Sequence, residues 1–250
     1  MRHLETHISL PPGLLATPVV REILRLGFEQ YRWFTPMRYG TGVFWEKLDP
    51  KRLDVETLLA FYEENEVLCI AARTDQDFLW LAPGKPESQR RFGRLNLFTN
   101  PKAANKPSWL SAHLEQVVEL MRLVNSPLAV TALDEDIDRK TERFVPDTIG
   151  QRLDFTVRNY SEGLAGLFWR NFFGPPFVQL FGERLASLPP ESRQELGHGL
   201  VLVQPYALAS DAGTPHGEAQ ERALISHLGP GCFYDHALHL KPTRLPVLPP

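Results

Sequence analysis

Val67-Leu68-Cys69-Ile70-Ala71-Ala72-Arg73-Thr74-Asp75-Gln76-Asp77-Phe78-Leu79-Trp80-Leu81 is the stretch on which the fold class turns. Two short apolar runs are separated by Thr74-Asp75-Gln76, a loop of hairpin length. A third run, Arg94 to Thr99, follows, and its Leu95-Asn96-Leu97-Phe98 nearly alternates, as a half-buried antiparallel strand does. Consecutive strands without intervening helices favour an α+β protein with a largely antiparallel sheet over a doubly wound parallel one. Further strands are expected at Leu128 to Leu133, Arg152 to Val157, Leu164 to Phe168 and Leu200 to Val203.

Around these runs the spacing predicts about five helices. Thr17-Pro18 opens one over 18–33, and Asp54 caps a second over 53–64. Ser108 opens the longest, with Leu110, Leu114, Val117, Val118 and Met121 on one stripe and its end near Asn125-Ser126-Pro127. A fourth follows Pro175-Pro176, with Phe177, Val178, Phe181, Leu185 and Leu188 as its apolar stripe. The fifth starts at Thr214-Pro215 and stops at Gly229-Pro230-Gly231. The 22 prolines punctuate these elements.

The chain reads as a single α+β domain over 1–250, with a short Pro-rich tail at 242–250. An internal echo, Gly42-Val43-Phe44-Trp45 against Gly166-Leu167-Phe168-Trp169, is consistent with two pseudo-repeated halves, about 1–133 and 134–250.

A 250-residue chain with 43% hydrophobic and 23% charged residues can bury a core without disulfides or structural metal. The 27 basic and 30 acidic residues nearly cancel, to a formal charge of -3. That balance argues against a dedicated nucleic-acid binder, which needs a basic excess on one face. Cys69 and Cys232 cannot build a disulfide framework, so a reducing cytoplasm is the expected location. No stretch has the length and apolarity of a membrane span, and the N-terminus lacks the apolar run of a secretory signal.

Common catalytic signatures are missing: no phosphate loop, no His-Glu-x-x-His, no Cys-x-x-Cys and no Gly-x-Ser-x-Gly. Gly40-Thr41-Gly42 lacks the third glycine of a dinucleotide fingerprint. Cys232-x-x-x-His236-x-x-His239 carries zinc-ligand chemistry, but the Gly and Pro breaks on both sides deny it a regular helix. His198, between Gly197 and Gly199, has the chemistry of a general base, and a turn histidine explains the same letters. Trp33, Trp45, Trp80, Trp109 and Trp169 read as core, above all where Trp follows Phe, with a stacking platform as the alternative. Asp134-Glu135-Asp136-Ile137-Asp138 packs four acids into five positions. It reads as a solvated loop, or as an acidic patch offered to a basic protein partner: Asp134, Glu135, Asp136 and Asp138 are the candidate partner-binding residues.

Phe168-Trp169-Arg170-Asn171-Phe172-Phe173-Gly174-Pro175-Pro176-Phe177, continued by Gln179-Leu180-Phe181-Gly182-Glu183-Arg184-Leu185, resembles the Trp-Arg-x-Phe-x-Gly-Pro-Pro segment of bacterial immunity proteins of the type VI secretion and polymorphic-toxin families. The later Gly197-His198-Gly199-Leu200-Val201-Leu202, the helix after Thr214 and the stretch from Leu228 to Asp235 look like the same families' C-terminal order. The resemblance covers about 160–235. It implies a cytoplasmic protein that binds and occludes a cognate toxin or effector, without catalysis or cofactor. Within the motif, Trp169, Arg170, Gly174 and Pro175 have a structural reading of their own: an apolar strand leaves through Gly174, and Pro175-Pro176 starts a helix. The rival readings are a small-molecule hydrolase or transferase that uses His198 or the Cys232, His236 and His239 group, and a structural or regulatory module.

Overall fold

The computed structural model describes residues 3–85, 92–104, 106–148 and 150–248; Met1, Arg2 and the Pro249-Pro250 pair of the expected tail lie outside it. The chain divides into two compact units, Met1–Ala129 and Val130–Pro250.

In the first unit the order is β1 (Leu4–Pro12), α1 (Thr17–Leu24), β2 (Arg38–Gly40), β3 (Trp45–Lys47), α2 (Val55–Asn65), β4 (Leu68–Ala71), β5 (Phe78–Ala82), β6 (Phe92–Thr99), α3 (Pro101–Ala104) and α4 (Pro107–Leu123). The strands lie in the order β1-β6-β5-β4-β2-β3, each pair antiparallel. The expected hairpin is present as β4 and β5, with Leu68 opposite Leu81. That row continues through Leu95 to Ile8, so four buried aliphatic side chains from four strands meet on one face. Strand β1 was not expected. Its inward residues Leu4, Thr6, Ile8 and Leu10 alternate with Glu5 and His7, a half-buried pattern that leaves no continuous apolar run.

Three helix boundaries follow from local chemistry. The Thr57 amide donates to Asp54 Oδ1 at 3.2 Å, which caps α2. The first expected helix is α-helical only to Leu24 and continues over Arg25–Gln30 with wider π turns. Gly27 lies inside that segment against the Trp33 ring, where a side chain would collide. The helix expected from Ser108 starts one residue earlier, at Pro107.

The chain then passes through β7 (Leu128–Leu133) into α5 (Asp134–Thr141), β8 (Glu142–Asp147), β9 (Gly150–Phe155), β10 (Arg170–Phe173), α6 (Pro175–Phe181), α7 (Glu183–Ala186), β11 (Arg193–Gly197), β12 (Leu200–Val203) and α8 (Pro215–Leu228). The strands of the second unit run β11-β12-β10-β7, and β8 and β9 form a separate two-stranded sheet. The class is therefore α+β with antiparallel pairing, as expected, but with eight α-helices among the described residues rather than five. The expected 175–188 helix is two, because Gly182 turns into a positive φ of 54° between α6 and α7.

The strand expected at Leu164 to Phe168 is corrected: β10 begins at Arg170. Residues 163–174 are buried throughout, so apolarity alone does not mark the strand. Asn171 fixes the boundary. Its Oδ1 accepts from the Phe168 amide at 2.9 Å, and its Nδ2 donates to the Phe168 carbonyl at 2.8 Å and across to Val203 at 2.9 Å. Gly174 is the N-cap and Pro175 the first residue of α6. At the other end, Gly217 donates to Thr214 Oγ1 at 3.1 Å, opening α8, and Gly229 with φ 108° closes it. The tail is tied down where it starts, since Thr243 and Arg244 both donate their amides to the Gly231 carbonyl.

Candidate partner-binding surface

The acidic run forms α5, a helix and not the expected loop. Asp134, Glu135 and Asp136 fill its first turn, with Arg139 and Lys140 in its last, the arrangement that complements a helix dipole. The four acids are not equivalent. Glu135 and Asp138 are exposed and Asp134 is half-buried, whereas Asp136 is buried. As a surface residue Asp136 is therefore corrected: it belongs to an internal charge cluster.

Lys140 is the centre of that cluster. Its Nζ donates to Asp136 Oδ2 at 3.1 Å, to Glu221 Oε2 on α8 at 2.8 Å and to the Leu167 carbonyl, so its three donors meet three acceptors. The ammonium also lies 5.0 Å from the Phe168 ring centroid. Arg139 donates to Asp136 Oδ1 at 2.6 Å and reaches towards Glu218. Burial pushes the Glu221 carboxyl above its ordinary range, and the Lys140 charge works against that shift. Gly166 passes close to Lys140 and Glu221, leaving little space for a side chain. Beneath the cluster Ile137 packs with Ala132 and Phe168. The inner face of α5 is thus locked, and the outer face presents Glu135 and Asp138.

The hairpin that follows hangs from the end of α5. The Thr156 amide donates to the Thr141 carbonyl at 2.9 Å, and Thr156 Oγ1 donates to the Lys140 carbonyl at 2.6 Å. Across the hairpin Glu142 stands opposite Phe155, Phe144 opposite Leu153 and Pro146 opposite Gln151, so these six share one face. Phe144 is 72% exposed, Leu153 45% and Phe155 44%. On the other face Arg143 and Asp154 form a cross-strand ion pair at 3.7 Å. Burial and the nearby Asp138 charge raise the Glu142 carboxyl. The sequence reading found neither β8 nor the apolar face. Their signal was present in the alternation of Phe144, Leu153 and Phe155 with charged residues.

The catalytic candidates do not assemble. Cys232 is buried in a short 3₁₀ turn, its thiol pushed up by burial. His236 Nε2 donates to the Ala165 carbonyl at 2.7 Å, and His239 Nδ1 lies 3.5 Å from the Tyr234 hydroxyl. The three ligand atoms are not gathered within 4.8 Å of one another. His198, with φ 54°, is exposed at the tip of the β11–β12 turn.

Among the tryptophans, Trp169 is buried, its indole N–H donating to the Ala207 carbonyl at 3.1 Å and its ring 4.4 Å from the Arg170 guanidinium. Burial lowers Arg170 to about 10. Phe44-Trp45 contradicts the core reading, because Phe44 is 78% exposed and Trp45 partly so. The two halves of the Gly-x-Phe-Trp echo consequently occupy opposite environments.

No family model and no curated protein matches the chain. A solved structure described as Pseudomonas aeruginosa T6SS protein PA0821 matches 94% of this chain and 74% of its own, with a TM-score of 0.63 and 12% sequence identity. At that identity the likeness is one of architecture. This chain shares its fold with that protein.

Proposed function

We propose that the protein acts in type VI secretion as an immunity protein, binding a cognate effector toxin and blocking it by occlusion, without catalysis of its own. One observation carries the reading: an anionic helix, α5, is held rigid from within by Lys140 and carries an apolar hairpin at its end. A rigid, partly apolar surface with a charged rim suits protein recognition, since little conformational freedom is lost on binding. The Pseudomonas fold relative supports the secretion-system context, and the Trp169-Arg170 to Pro175-Pro176 segment supports the immunity assignment through its family resemblance. In this reading the protein resides in the cytoplasm, needs no cofactor and has neither nucleic acid nor membrane as partner.

Co-expression tests it. The effector encoded beside this protein's gene, produced in a sensitive bacterium, is expected to arrest growth, and this chain is expected to restore it and to co-elute with the effector at a fixed ratio. Continued arrest with both proteins soluble overturns the proposal.

A further inference from the structure

The first unit holds a cavity that plays no part in the surface around α5. It opens between the inner face of the sheet and α4, lined by Thr6 of β1, Leu97 of β6 and Trp109, His113 and Gln116 of the helix. Counted out to its open mouth, the free space is about 360 Å3, which limits a guest to one planar ring with small substituents. Trp33, another lining residue, is set in place by an irregularity of the chain. Beyond α1 the helix widens into π turns over Arg25–Gln30, a departure from regular winding that collects at functional positions. The Trp33 amide donates to the Gly27 carbonyl of that segment at 3.0 Å, and a Cβ at Gly27 would meet Cε3, Cζ3 and Cη2 of the Trp33 ring. The indole N–H lies on the opposite edge of the ring and so turns away from Gly27. It is buried and has no acceptor among the described residues. A buried donor left unpaired is costly, and an acceptor brought by a ligand removes that cost.

The remaining lining groups define what else the guest must carry. His113 is buried, its Nε2 lies 2.9 Å from Thr6 Oγ1, and its ring stacks on Trp109 with centroids 4.5 Å apart, so it holds the Trp109 indole as a flat wall. Gln116 is buried as well, with an amide that both donates and accepts. Asp77 also lines the cavity; its Oδ1 accepts from the Asn100 amide at 3.0 Å, and a carboxylate has capacity for further donors. We propose that this cavity binds a single-ring heteroaromatic amine, of which an aminopyrimidine is the simplest. A ring nitrogen or carbonyl of the guest accepts from Trp33 Nε1, and its amino group donates to Asp77 or Gln116. Stacking on an indole tolerates any planar ring, so the selection lies in the acceptor and the amino group. The Asp77 charge disfavours an anionic guest. This site goes beyond the immunity reading and does not depend on it.

The test titrates cytosine and 2-aminopyrimidine into the full chain labelled with 15N and follows the indole N–H signals of its five tryptophans, with Trp33 assigned through Trp33→Phe. Expected is a saturable downfield shift of the Trp33 signal, with the millimolar or tighter affinity that a fragment of this size reaches. Trp33→Phe keeps an aromatic wall and removes the donor, so binding read from the amides of α4 should weaken about tenfold. Aniline, which keeps the ring and the amino group but lacks the ring acceptor, should bind the wild type about tenfold more weakly than 2-aminopyrimidine, and this arm decides the matter if thermal melting shows that Trp33→Phe does not fold. Benzoate should give no saturable shift. Absence of a saturable Trp33 shift with both bases, aniline binding as tightly as 2-aminopyrimidine, benzoate binding as tightly as cytosine, or unchanged affinity in a folded Trp33→Phe each overturns the inference.

Discussion

Lys140 shows at the scale of one residue how charge serves architecture. Buried between two carboxylates and a carbonyl, it joins α5 to α8 and to the backbone at Leu167. Removing one partner of a buried ion group leaves the others uncompensated, a loss of about 3 to 5 kcal/mol. Lys140→Met is therefore expected to lower stability by about that amount at pH 8, measured by urea denaturation. The pH dependence has a definite sign. Glu221 is raised in the folded state, so folding binds its proton more tightly than the unfolded chain does, and acid relieves the cost of burying its charge. Without the Lys140 ammonium, the buried Glu221 carboxylate loses the counter-charge that offsets its burial. The deficit of the variant should accordingly shrink as pH falls from 8 towards 5, and a deficit that stays constant would place the energy in packing of the lysine stem instead.

At the scale of elements, α5 divides its acids between two duties. Glu135 and Asp138 lie on the exposed side of the helix, whereas Asp136 belongs to the interior. Glu135→Gln/Asp138→Asn should thus slow association with the effector and flatten its salt dependence, with little change in the dissociation rate. Stability should move by no more than about half a kcal/mol. Stopped-flow mixing at low and high salt reads both rates, and on-rates identical to wild type would remove α5 from the contact. The helix itself was legible after the fact: acids first, bases last, and Asp136 four residues before Lys140. Four acids in five positions obscured it, because the pattern holds few apolar positions to set a period. Strands β4, β5, β6, β7 and β12 were readable because each is a short apolar or alternating run. Strand β10 was misplaced because the chain before it is equally apolar and only the Asn171 hydrogen bonds set where pairing begins. The hairpin face was missed for a related reason. Leu153 and Phe155 read as the inner face of the expected 152–157 strand and Phe144 fell in no expected element, whereas all three lie outside.

At the scale of the whole molecule, each compact unit contains one buried thiol, Cys69 in the first and Cys232 in the second. Burial pushes Cys69 up to about 12 and raises Cys232 as well, so neither is a thiolate at neutral pH. Native protein is expected to ignore a thiol-reactive dye at pH 7.5, and both thiols should react once urea unfolds the chain. Mass spectrometry of each labelled peptide across the titration then reads the opening of each unit separately, and prompt labelling of either in the native protein would contradict its burial. The detached hairpin carries a different consequence. Core positions answer to their neighbours in the same chain, but Phe144, Leu153 and Phe155 pair only within a ribbon pinned at its base. Their identities can be exchanged together while the ladder, the Thr156 anchor and the Lys140 cluster stay as they are. Phe144→Ser/Leu153→Ser/Phe155→Ser is therefore expected to cost no more than about 1 kcal/mol in urea denaturation, a tolerance that makes this ribbon the part of the chain whose sequence is least bound by its own fold.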